Sequence, residues 1–140
     1  IQVSYTSETN GFRKLFNYIS GSNIDSSKIS MTTPVTQSNK EGINIMEFYL
    51  PSNYTKKNAP LPTDKELKLI TIDKGYFAVI KFNGRSTDKN FIKHRKILKD
   101  SLLKDNVAIL GFPINATYNA PFTLPILKRN EVMFRVNWKN

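Results

Sequence analysis

Residues 1–20, IQVSYTSETNGFRKLFNYIS, change their apolar period part-way along, and that change decides the fold class. Ile1, Val3 and Tyr5 alternate with Gln2, Ser4 and Thr6, the two-residue period of a strand with one buried face. From Gly11 to Ser20 the period lengthens. Phe12, Leu15, Phe16 and Ile19 fall at i, i+3, i+4 and i+7, which predicts a helix that buries those four side chains against a sheet. Thr9 or Asn10 can cap its start, because their side-chain oxygens accept hydrogen bonds from the free amides of a first turn. Gly21 can end it in a left-handed turn.

Working outward, residues 28–36 and 43–50 read as strands around a polar turn at 37–42. The proline-containing stretch 51–62 is too short, and too well supplied with anchors such as Tyr54, to be a flexible linker. The order then repeats. Residues 67–72 and 76–82 are strands about Asp73-Lys74-Gly75, which has hairpin chemistry. Thr87 or Asp88 caps a second helix that runs to about Lys104 with Phe91, Leu98 and Leu102 inside, and 116–118 and 131–136 supply later strands. A local echo accompanies the repeat: MTTPV at 31–35 and YNAPF at 118–122 both place a large side chain three before a proline and an apolar one after it. In 43–50, Met46, Phe48 and Leu50 share one face while Ile45 and Tyr49 flank Glu47 on the other. Such a strand packs a helix on one side and a second apolar surface, barrel interior or pocket wall, on the other.

A length of 140 residues with 39% hydrophobic content is the size of one domain with a real core. The absence of Cys removes disulfides, thiolate metal sites and cysteine nucleophiles. His94 is the one histidine and there is no Cys, so Cys-His, HExxH and multi-histidine metal chemistry is excluded by inventory. No apolar run reaches the 18 to 20 residues of a transmembrane helix. The net charge of +10 favours anionic partners: carboxylate ligands, acidic membrane surfaces or nucleic acid. The basic residues are dispersed and accompany no nucleic-acid motif, so specific nucleic-acid binding is not expected and most of the charge reads as a solvated surface.

The strings KISMTTPV at 28–35 and RNEV at 129–132 are more specific than any of these features. So are GFRKLFNYISGSN at 11–23, FYLPSNY at 48–54 and APLPTDKELKL at 59–69. Together, from about Gly11 to Val136, they make the chain resemble the SOUL haem-binding protein family. The resemblance implies an α+β fold in which a duplicated strand-helix-strand-strand unit forms a distorted antiparallel β-barrel or curved sheet with two outer helices. One domain is expected over 1–140, with internal halves at about 1–58 and 66–137. A monomer is expected, and the implied ligand is haem or a related porphyrin, bound without covalent attachment. Some bacterial relatives carry a short hydrophobic anchor. The start at Ile1 suggests a trimmed or processed form, so a soluble domain is expected, either cytoplasmic or held at the envelope by a segment upstream.

The resemblance also places residues 118–129, YNAPFTLPILKR, at the pocket mouth near the first helix. A lid that closes the core without a ligand is the plainer alternative for so apolar a loop. The candidate tetrapyrrole contacts are Phe12, Phe16, Asn17, Met31, Met46, Phe48, Tyr118 and Phe122, with Lys128 and Arg129 for the propionates. Met31, Met46 and Met133, expected on strands, are adaptable core fillers that can also contact a haem. Tyr76 and Tyr118 read as amphipathic wall residues. His94, at the flank of the second helix's inner stripe, is an axial-ligand candidate set against a boundary histidine. Two other functions compete with reversible haem carriage, buffering or sensing. One is a module that binds a different effector or a peptide in an apolar groove. The other is a hydrolase that uses Glu47 or Glu131 as a buried base.

Overall fold

The computed structural model describes residues 1–120 and 122–139; Pro121, part of the expected internal echo, lies outside them. Contacts divide the chain into two units, Ile1–Ile72 and Asp73–Asn140, each built from antiparallel strands and one α-helix. The fold class is therefore α+β.

The first unit contains β1 (Gln2–Tyr5), α1 (Glu8–Ile19), β2 (Val35–Lys40), β3 (Ile43–Phe48) and β4 (Leu67–Lys68), with strand order β4-β1-β3-β2. Its core joins Val3, Met46, Phe48 and Leu67 from the strands to Leu15, Tyr18 and Ile19 from the helix. The helix buries Gly11, Leu15, Tyr18 and Ile19; of the expected stripe Leu15 and Ile19 are inside, while Phe12 and Phe16 remain 38% and 45% exposed. The cause is local. A Cβ at Gly11 would lie 2.9 Å from the Cβ of Tyr5, so the glycine lets α1 settle directly on β1 and rotates its contact face towards position 11. Gly21 ends the helix as expected, at φ +122°, with the Ser22 amide donating to the Asn17 carbonyl.

The segment expected as a strand over 28–36 is non-repetitive until Val35, so Met31 is on no strand, and the Thr33–Pro34 peptide is cis. Residues expected as turn, Gln37 to Lys40, instead continue β2. The chain reverses at Glu41 and Gly42, both with positive φ.

The second unit contains β5 (Tyr76–Phe82), α2 (Asp88–Lys104), β6 (Ala108–Ile109), β7 (Ile114–Thr117) and β8 (Asn130–Asn137). β8 is central: β5 pairs with it from Tyr76↔Val136 to Phe82↔Asn130, while β7 and β6 pair with its earlier and later stretches. Phe91, Leu98 and Leu102 of α2 pack on Phe82, Val132, Phe134 and Val136, and Thr87 caps the helix by accepting from the Asn90 amide. In the first unit β3 pairs with both β1 and β2; in the second β8 pairs with β5, β6 and β7.

Two expectations are corrected. The strands around 73–75 form no hairpin: β4 is two residues long and pairs with β1, while the Arg135 guanidinium holds the Asp73 and Lys74 carbonyls. Of the two sheet forms expected, barrel or curved sheet, the barrel is not formed either. Closing a ring requires sustained pairing at every edge, and the strand path ends at so short a strand as β4, leaving the sheet open.

Candidate functional site

In the first unit, Phe12 and Phe16 lie one helical turn apart on α1 with ring centroids 6.1 Å apart and planes within 13°. Phe48, buried on β3, meets Phe12 edge-on at 5.2 Å and braces it from below. The result is a flat, half-exposed aromatic strip on a rigid element. Asn17 and Met31 are also exposed, whereas Met46 is sealed inside the core with Val3, Leu15 and Tyr18 and offers no surface of its own.

Beside β3 the same unit holds a cavity of about 380 Å³ lined by Tyr49, Leu50, Tyr54, Lys56, Leu69 and Ile70, with Glu47 in its wall. Phe48, a candidate contact, also lines it; apart from Phe48 and Glu47, none of its residues was singled out as a site residue. The signal was present in the two apolar faces of 43–50. Gln2 donates to one oxygen of Glu47 at 3.0 Å and Thr36 to the other at 3.2 Å, so β1, β2 and β3 together hold the carboxylate. Burial pushes the Tyr49 phenol above its ordinary pKa, opposed by a hydrogen bond with Thr36 and aided by the charge of Glu47.

In the second unit the RNEV string forms a compact polar knot. Glu131 is buried on β8, and one of its oxygens accepts from Arg129 Nε at 3.0 Å and from a terminal guanidinium nitrogen at 2.5 Å. Its other oxygen accepts from the Tyr118 hydroxyl at 2.8 Å, and the guanidinium lies 4.2 Å over the Tyr118 ring. The hydrogen bond to Glu131 is the main reason that the Arg129 pKa is raised. With both oxygens held, Glu131 serves as a structural acceptor that ties the loop's two ends together. Phe122 is almost fully exposed and Lys128 is half-buried. Rather than lying over a core, the loop points Phe122, Leu124, Ile126 and Leu127 outward.

His94 lies flat on Phe82, ring centroids 3.9 Å apart and planes within 6°, with Nδ1 2.7 Å from the Asn90 carbonyl. Both contacts hold the ring at the core boundary.

A profile of the family described as SOUL heme-binding protein matches residues 1–135. The chain belongs to the SOUL family. Among curated proteins none matches it. The SOUL family is named for haem binding, and the motif strings at 11–23, 28–35, 48–54, 59–69 and 129–132 all fall within the matched span. All five strings contribute to the core, the cavity or a side-chain contact, the second through Ile29 and the fourth through Leu67 and Leu69. The first carries the aromatic strip and the Gly11 contact, the third provides Phe48 and cavity residues, and the last builds the Arg129–Glu131–Tyr118 knot.

Proposed function

We propose that this SOUL-family chain is a binding protein, not an enzyme, that takes up haem or a related tetrapyrrole reversibly for carriage, buffering or sensing. The observation that carries this reading is the half-exposed Phe12–Phe16 strip, because a porphyrin is a large flat apolar disc and nearly parallel rings offer it a matching face. Burying apolar surface is worth about 25 cal/mol per Å², so covering the strip supplies much of a modest affinity. In the first unit the proposed contacts are Phe12, Phe16, Asn17 and Met31, with Phe48 and Met46 as support beneath them. In the second unit Tyr118, Phe122, Lys128 and Arg129 are carried over from the family resemblance. Lys128 is the better propionate partner, since Arg129 is already engaged by Glu131. Haem would supply an apolar face and two carboxylates; the iron needs no ligand from His94, whose ring is occupied with packing. We also read the halves as one unit used twice and the chain as a monomeric single domain.

The test is an absorbance titration with haemin and with metal-free protoporphyrin. Similar affinities are expected, because recognition rests on the ring and the propionates. His94→Ala should leave haemin affinity within about three-fold, whereas Phe16→Asp should lower it at least about ten-fold by setting a charge against the porphyrin face. Loss of the Soret shift in His94→Ala, with Phe16→Asp folded and still binding, would sink the proposal.

A module for a different effector is the second reading, favoured by the cavity beside Tyr49 and Tyr54. It replaces the first if haemin produces no Soret shift at all. Glu47 and Glu131 both have their two oxygens occupied, which supports structural roles over a general base.

A further inference from the structure

We propose that the β7–β8 loop is a membrane-surface anchor that dips its apolar tip into an anionic lipid bilayer. Four large apolar side chains fall within six residues: Phe122 is 90% exposed, Ile126 76%, and Leu124 and Leu127 64% each. Single exposed apolar residues are ordinary, but a contiguous group on a small protein marks an interaction surface.

The backbone of the loop shows what kind of surface it suits. The Tyr118 amide donates to the Arg129 carbonyl, and the Arg129 amide to Asn119 Oδ1, closing the base. At the tip, Thr123 donates to Ala120, Leu127 to Leu124 and Lys128 to Pro125. The Gly84 amide and the Asn83 side chain hold the Pro125 and Ile126 carbonyls from the end of β5. Paired backbone groups lower the cost of entering the apolar edge of a bilayer, and at this tip the Thr123 and Leu127 amides and the Leu124, Pro125 and Ile126 carbonyls are paired. The tip is thus a held wedge with its apolar side chains outward.

The surrounding charge selects an anionic surface. Lys128 and Arg129 follow the tip directly, Arg85 adjoins the Gly84 that grips it, and Lys89 lies in the first turn of α2. Asp88 lies in that same first turn, and Glu131 is buried and tied to Arg129. Across the whole chain the net charge of +10 adds long-range attraction to acidic headgroups. No helix among the described residues is long and apolar enough to cross a membrane, so attachment would be interfacial.

The test is vesicle flotation without haemin, at near-physiological salt, using phosphatidylcholine alone and phosphatidylcholine with about one-third phosphatidylglycerol. The protein should float with the mixed vesicles and much less with the neutral ones. A Leu124→Ser/Ile126→Ser double variant should lose about ten-fold or more in partitioning. Its haemin titration in solution should be unchanged, since neither residue is a proposed haem contact; that readout keeps failure here distinct from failure of the haem reading. Arg85→Ala should weaken partitioning about five-fold, as expected for one basic residue near the surface. The proposal is overturned if the wild type does not float with the mixed vesicles, or if flotation survives the double substitution. It is also overturned if the wild type is a lipid-free dimer that the double variant dissociates, which would assign the tip to a second copy of the chain.

Discussion

Gly11 and Tyr18 decide more of the first unit than their neighbours do. A methyl group at position 11 would meet Tyr5 Cβ at 2.9 Å and Cγ at 3.0 Å, so Gly11→Ala forces α1 off β1. The substitution gains about 1 kcal/mol of helix propensity and loses about 1 to 3 kcal/mol to overpacking. Net destabilisation is the expected outcome of urea denaturation, and a stabilised variant would show that the contact yields easily. Tyr18 is fully buried, and its hydroxyl donates to the Pro60 carbonyl at 2.7 Å. Burial, with Tyr54 and Asp25 nearby, pushes its pKa up to about 12. The unfolded phenol titrates near 10, so the neutral side chain contributes fully below about pH 10 and its contribution is lost as pH rises towards 12. The contribution is on the order of 2 kcal/mol, and Tyr18→Phe should flatten stability against pH in that window. At neutral pH the same variant should cost about 1 kcal/mol through the lost hydrogen bond. An unchanged alkaline slope would mean that other groups cause it.

The elements of the chain differ in how openly the sequence declared them. α2 was legible from cap to inner stripe: Thr87, then Phe91, Leu98 and Leu102. β5 was legible from its run of aromatic and β-branched residues, and its bounds match. α1 was legible as a helix but not in its rotation, because a periodicity argument counts Phe12 and Phe16 as apolar and is blind to a glycine that permits close approach. Leu15 belongs to both the expected and the observed stripes. Leu15→Ala should therefore cost about 2 to 5 kcal/mol by denaturant titration, and less than about half a kcal/mol would mean the core packing around α1 is misread. β2 was shifted by several residues since its Thr, Gln, Ser and Asn look like turn chemistry; pairing with β3 overrode that preference.

Over the whole molecule, charge is the property most directly inherited from composition. Lys89, Lys93, Lys96 and Lys104 are exposed on α2, and Lys96 pairs with Asp100 on the same helix. Four phosphate contacts would give DNA binding that falls about a hundred-fold between about 50 and about 200 mM salt, without sequence preference. Anisotropy with two unrelated duplexes checks this, and sequence-selective binding at the higher salt would overturn it. The sequence by itself determined the family, the α+β class, both helices and the inventory that rules out cysteine-based catalysis and multi-histidine metal sites. Periods, caps and residue types are local properties that survive without knowing any distant partner. Only the tertiary structure decided that the sheet stays open, that α1 turns Phe12 and Phe16 to the surface, and that Glu131 is held by Arg129 and Tyr118. It also decided that the apolar loop faces outward. These depend on strand pairing and on close approach between residues far apart in the chain, and hydrophobicity alone does not say whether an apolar side chain finds a neighbour or remains for a ligand or a membrane.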